Sequence, residues 1–134
     1  MSRIYLDSCI VIYFVEKHPE FAAAIEGRIS SLSETDTLCY SPLTRMECLV
    51  KPLRVADDEL RDNFELFFGE QEMLEITGSV FDMAAQLRAE FSSLKTPDAL
   101  HLATTQYYRC DEFWTNDSRL DAVDPSIVKS ILPA

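Results

Sequence analysis

Asp7, Glu47, Asp98 and Asp117 stand far apart in the chain, each inside a short motif rather than a run of like charge. The motifs are Tyr5-Leu6-Asp7-Ser8, Thr44-Arg45-Met46-Glu47-Cys48, Thr96-Pro97-Asp98-Ala99-Leu100-His101 and Trp114-Thr115-Asn116-Asp117-Ser118. Brought together by a fold, carboxylates this close raise one another's pKa. A hard divalent cation with oxygen ligands relieves that repulsion. The chemistry such a site supports is metal-assisted hydrolysis of a phosphate ester.

Each acid also has a plainer reading. Asp7 ends an apolar strand-like run, where ligands of parallel sheets gather, and it equally suits the N-cap of the helix that follows. Glu47 stands three residues after Thr44, in the spacing of a capping box. Ser41-Pro42 already marks that helix start, so Glu47 falls in the second turn, where no free backbone N–H needs it. Asp98 follows Pro97 near a helix start, where acids are electrostatically favoured in any case. His101 lies one turn on, on the same face, and reads as a packed side chain satisfied by a neighbour. Asp117 follows a second strand-like run, and Asn116-Asp117-Ser118 is ordinary turn chemistry. Asp121 reads as a surface acid.

The elements that must position these residues alternate between strand and helix. Ile4–Leu6 reads as a buried strand, and residues 8–16 as a helix capped by Asp7 or Ser8. Pro19 opens a second helix carrying Phe21, Ile25, Ile29 and Leu32 at helical spacing. Thr37–Tyr40 is a strand, and Ser41-Pro42 begins a third helix. Residues 51–58 are the most loop-like stretch. Residues 55–70 form a helix whose first turn holds Asp57, Asp58 and Glu59, with Leu60, Phe64, Phe67 and Phe68 on one face. Residues 73–76 form a third strand. A helix after Gly78 runs through Ala84, Leu87 and Phe91. Another helix from Thr96-Pro97 carries Leu100, Ala103 and Tyr107. Glu112–Thr115 and residues 127–132 complete the strands. Strand–helix–strand units favour a three-layer α/β/α arrangement around a parallel sheet of four or five strands, here over residues 1–134 as one domain.

The bulk numbers narrow the function. At 134 residues and 47% apolar, the chain can bury a real core. A net charge of −11 argues against a nonspecific nucleic-acid coat and implies that any RNA is held by a few placed cations. No apolar run is long enough to cross a membrane and no secretory signal is legible, so a cytoplasmic location is expected. Cys9, Cys39, Cys48 and Cys110 lack zinc-ligand spacing and read as small buried side chains. No glycine-rich phosphate loop is present. Cys9 stands where an aspartyl phosphatase would carry a second acid two residues after Asp7. A phospho-acceptor signalling domain would need paired acids after the first strand, and these are absent.

Read in order, the motifs resemble the PIN domain family, in particular the small bacterial toxins of the VapC type. The likeness rests on Tyr5-Leu6-Asp7-Ser8-Cys9-Ile10-Val11-Ile12-Tyr13, Leu43-Thr44-Arg45-Met46-Glu47-Cys48, Pro97-Asp98-Ala99-Leu100-His101-Leu102-Ala103-Thr104 and Trp114-Thr115-Asn116-Asp117-Ser118-Arg119-Leu120, and spans nearly the whole chain. It implies that Asp7, Glu47, Asp98 and Asp117 are the catalytic, metal-holding acids, supported by Thr115 and Ser8. It further implies an Mg²⁺- or Mn²⁺-dependent endoribonuclease, the toxin of a type II toxin–antitoxin system, that forms a homodimer and is inhibited by a cognate antitoxin. Arg45, Lys51 and Arg54, clustered beyond Glu47, are candidates for RNA backbone contact or simply solvated cations. The alternative is a PIN-like module that binds RNA or protein without cutting.

Overall fold

The computed structural model describes residues 1–132. Its strands are β1 (Arg3–Leu6), β2 (Thr37–Tyr40), β3 (Glu72–Met73), β4 (Glu112–Thr115) and β5 (Val128–Ser130). Its helices are α1 (Ser8–Val15), α2 (Ala22–Ser30), α3 (Pro42–Arg54), α4 (Asp58–Gly69), α5 (Gly78–Glu90) and α6 (Thr96–Tyr107). All strand pairs are parallel, in the order β3-β2-β1-β4-β5.

Side chains alternate across a strand, and β1 uses both faces. Ile4 and Leu6 point into one core with Leu38, Tyr40 and Trp114, covered by α1 to α4 through residues such as Val11, Ile25, Cys48 and Phe64. Tyr5 points into the other, with Cys39, Phe113 and Val128, covered by Val80, Ala84 and Leu87 of α5 and Leu102 and Ala103 of α6. The expected three layers follow from that alternation. No helix among the described residues is long and apolar enough to cross a membrane.

The order also fixes where a site can lie. From β1 the chain builds outward through β2 to β3, then returns to the far side of β1 for β4. The crevice outside the carboxyl ends of β1 and β4 is therefore a topological switch point, the usual ligand position of an open parallel sheet. Asp7 follows β1 directly, and its backbone N–H donates to the Trp114 carbonyl at 3.0 Å, clamping the two strand ends together.

Several boundaries differ from the sequence reading, among them the fifth strand, which is Val128–Ser130 rather than residues 127–132. The second helix starts at Ala22, not Pro19. His18 Nδ1 accepts the N–H groups of Glu20 (3.1 Å) and Phe21 (3.3 Å), and its ring stacks on Phe21, so residues 19–21 form a turn instead. Residues 51–58 are mostly not a loop: α3 continues to Arg54 with Pro52 buried inside it. The break is confined to residues 55–57, turning at Ala56, whose φ is 54°, and Asp57 then caps α4 by accepting the Leu60 N–H at 3.0 Å. The third strand is Glu72–Met73, shorter and earlier than expected, because Leu74 turns into the core after its N–H bonds Tyr40 (2.7 Å).

Ala56 stands in the left-handed region, while the glycines 27, 69 and 78 all have ordinary φ. A left-handed non-glycine costs about 1–2 kcal/mol, and glycine returns about 0.4–1 kcal/mol through unfolded-state entropy. Ala56→Gly is expected to stabilise the protein by roughly 0.5–1 kcal/mol, read as a higher urea midpoint at unchanged m-value.

Candidate metal centre at the carboxyl edge of the sheet

Asp7 is 8% exposed, and both its oxygens are in use. Oδ1 accepts the N–H of Ser8 at 2.8 Å, which caps α1. Oδ2 accepts from the Thr115 hydroxyl at 2.8 Å. Thr115, fully buried at the end of β4, also accepts the Asp117 N–H at 3.0 Å, so one hydroxyl bridges two of the acids. The two readings of Asp7 are thus compatible: it is a helix cap and it faces the crevice.

Glu47 reaches the same place from α3. That helix is closed by a capping box between Ser41 and Thr44, which leaves Glu47 out of the capping. Its carboxylate is bonded by His101 Nε2 at 2.7 Å. Burial works to raise its pKa, but hydrogen bonding, from His101 above all, outweighs it, and the carboxyl titrates below its ordinary range. Asp7, Glu47 and His101 bring ligand atoms within 4.8 Å of one another.

His101 is as packed as its neighbours in sequence suggested, at 1% exposure, yet its partners belong to the site. Nδ1 lies 2.7 Å from the Tyr5 hydroxyl and Nε2 2.7 Å from Glu47. With both nitrogens committed, the donors left for a cation are carboxylate oxygens. That set suits Mg²⁺ or Mn²⁺ and not a soft metal. The thiol beside Asp7 adds nothing, since burial and the Asp7 charge push Cys9 up to about 12, out of reach of a thiolate at neutral pH.

Asp98, in the first turn of α6, is half-buried. Its carboxyl is held above the ordinary range by burial first, then by the charges of Asp7 and Asp117, against weaker relief from Arg119. Asp117 differs. Arg119 grips it at 2.9 Å (Nε to Oδ1) and 2.7 Å (Nη2 to Oδ2), and that hydrogen bond holds its pKa low.

The four acids border three depressions, linked through Asp117, which lines two of them, and through the close approach of Asp7 and Glu47. Glu47 lines a cavity of about 350 Å³ between α1 and α3. Asp98 and Asp117 line one of about 180 Å³ with Lys95 and Arg119. Asp7 and Asp117 line an open one of about 460 Å³. Asp121 stands apart, accepting from Ser130 at 3.5 Å. Arg45 pairs with Glu65 and Lys51 with Glu16, at 2.8 and 2.7 Å, while Arg54 is exposed.

Sequence reasoning missed Tyr5, Lys95 and Arg119. A tyrosine in a buried strand was the available signal, because its hydroxyl must find a partner inside. Arg119 had only its place two residues after Asp117.

The family model described as "PIN domain" matches residues 4–125. No curated protein sequence matches the chain. Among solved structures, VapBC2 from Rickettsia felis, bound to a DNA fragment from its promoter, is similar at TM-score 0.82 and 15% identity, covering 95% of this chain and 97% of that one. A toxin–antitoxin complex from Klebsiella pneumoniae is similar at TM-score 0.77 and 21% identity, covering 97% and 99%. VapC20 from Mycobacterium tuberculosis, a sarcin–ricin loop cleaving toxin, is similar at TM-score 0.79 and 10% identity, covering 97% and 99%. At these identities the likeness concerns the fold.

Proposed function

This chain belongs to the PIN domain family, and from that premise we propose that it is an Mg²⁺- or Mn²⁺-dependent endoribonuclease, the toxin of a type II toxin–antitoxin pair. The observation that carries this reading is the placement of the acids: Asp7 and the turn of Asp117 share the Thr115 hydroxyl, Asp7 and Glu47 bring ligand atoms within 4.8 Å, and Asp98 lines one depression with Asp117. Three carboxylates from α6, β1 and the end of β4 share one field, the condition a divalent cation resolves.

Asp7, Glu47, Asp98 and Asp117 would hold the ion, which supplies polarisation of the phosphate and a water of lowered pKa. Around it, Thr115 fixes Asp7 and the turn carrying Asp117, and the Ser8 N–H holds the other oxygen of Asp7. Lys95 and Arg119, beside Asp98 and Asp117, are the nearest cations for RNA phosphates. Arg45, just before Glu47, and Lys51 and Arg54, after it, also lie on α3, where the first two would exchange a protein carboxylate for a phosphate. Hydrolysis adds water to phosphorus and breaks its bond to the 3′ oxygen, leaving a 3′ hydroxyl and a 5′ phosphate.

Toxin–antitoxin complexes among the similar structures support an antitoxin partner for this chain as well. Exposed Met46, Val50 and Leu53 on α3 offer an apolar stripe for a second copy. The whole chain would act as one domain in the cytoplasm.

The test is incubation of total RNA with purified protein and Mn²⁺, with and without EDTA, followed by mapping of the cut ends. Discrete metal-dependent cuts bearing 5′ phosphates are expected. RNA left intact at millimolar Mn²⁺ would return the protein to the class of binding modules.

A further inference from the structure

Glu47 presents a mechanical problem. Its carboxylate sits at the end of a long side chain in the second turn of α3, 27% exposed at the rim of the crevice. Ordering such a side chain costs up to about 1.5–2 kcal/mol of rotamer entropy. Asp7 is held by its own strand and cap, but Glu47 needs an external support.

That support is a buried chain of hydrogen bonds running back to β1. Tyr5, on the strand two residues before Asp7, is 0% exposed. Its hydroxyl lies 2.6 Å from Ser41 Oγ, 3.1 Å from Thr44 Oγ1 and 2.7 Å from His101 Nδ1. Ser41 is the N-cap of α3, the helix that carries Glu47. A closed circuit results: β1 to the start of α3, along α3 to Glu47, across to His101 on α6, and back to Tyr5.

With His101 neutral and its hydrogen on Nε2, the hydrogens run through this circuit in one direction. Ser41 Oγ accepts the Thr44 N–H, and Thr44 Oγ1 accepts the Ser41 N–H. The Ser41 hydroxyl then donates to Tyr5. The phenol donates to His101 Nδ1, and Nε2–H donates to Glu47. Among the described residues no buried side-chain polar atom is without a partner, so the network is complete. Complete networks of this kind polarise and rigidify their members.

We propose that Tyr5 and His101 are positioning residues, which lock the Glu47 carboxylate in the orientation that receives the cation. The proposal rests on the metal-dependent reading of the site and deepens it. His101 is thereby assigned to the support behind a ligand, not to the ligand set. Partners behind metal ligands typically contribute about 10- to 100-fold in metal affinity or activity.

The test is calorimetric Mn²⁺ binding to the full chain, comparing the unsubstituted protein with Tyr5→Phe, Glu47→Ala and the double variant. Phenylalanine keeps the ring packing of Tyr5 against His101 and Phe113 and removes only the hydroxyl. Tyr5→Phe is expected to weaken Mn²⁺ binding about 10-fold, and to weaken it no further once Glu47 is alanine. An equal loss in both backgrounds marks a general structural effect and overturns the proposal, as does unchanged affinity in Tyr5→Phe. Absence of Mn²⁺ binding to the unsubstituted protein overturns the metal-centre reading as well, which separates the two failures. A second measurement needs no substitution: nitrogen-15 NMR of the metal-free protein is expected to place the His101 hydrogen on Nε2. A hydrogen on Nδ1 would break the circuit as drawn and overturn the proposal.

Discussion

Asp98→Asn is expected to yield a protein that cuts RNA about 100- to 1000-fold more slowly and melts at a higher temperature when free of metal. The rate loss corresponds to several kcal/mol of charge stabilisation at 1.36 kcal/mol per decade. The stability gain follows from the sign of the pKa shift. The Asp98 carboxyl is raised by burial and by the charges of Asp7 and Asp117. An unfolded Asp98 therefore loses its proton at lower pH than the folded one. Between those two values the folded state holds more protons, so stability falls as pH rises through the window. Asparagine has the same shape and no charge, and it escapes that loss. The gap in melting temperature between variant and parent is expected at pH 7.5 and should close toward acid, where the parent's Asp98 is protonated. A variant that cleaves normally would remove Asp98 from the machinery. One that melts lower at pH 7.5 would mean that Asp98 serves structure and not a cation.

The architecture was legible because its signals are local. The apolar β1 and β4 runs, Ser41-Pro42 and Thr96-Pro97 at helix starts, and the apolar spacing of the helices all survive without tertiary information. Boundaries failed where a side chain intervened: His18 took over the N–H groups after Pro19, and Pro52 was absorbed into α3 because it packs in the core. The site was legible as four motifs but not as a geometry. Topology places Asp7 and Asp117 at the switch point, but nothing in the spacing says that Asp98 faces them. Nothing local links Tyr5 to His101, residues 96 positions apart that meet only because β1 lies beneath α6. Nor does the sequence say that Arg119 closes on Asp117; two residues apart in a loop, their meeting depends on the short 3-10 turn from Ser118 to Ala122.

Mn²⁺ is expected to raise the melting temperature by roughly 10 °C at a concentration 100-fold above its dissociation constant. Binding to the folded state alone contributes about 2.7 kcal/mol at that excess, and a domain of this length gains about 4 °C per kcal/mol. Binding also removes the repulsion that raises Asp98, so cation and proton compete for the same oxygens. The thermal gain should therefore shrink as pH falls through the raised Asp98 range, and EDTA should abolish it. Asp7→Asn should lose the gain while keeping the fold. The asparagine carbonyl still accepts the Ser8 N–H that caps α1, and the Thr115 hydroxyl turns from donor to acceptor against the new amide. Asp117 adds a competitor of its own, because a cation must draw it away from Arg119. Arg119→Ala is for that reason expected to bind Mn²⁺ more tightly than the parent even where it handles RNA less well. A flat melting curve at millimolar Mn²⁺ in both the parent and Arg119→Ala would leave the carboxylates without a cation to hold.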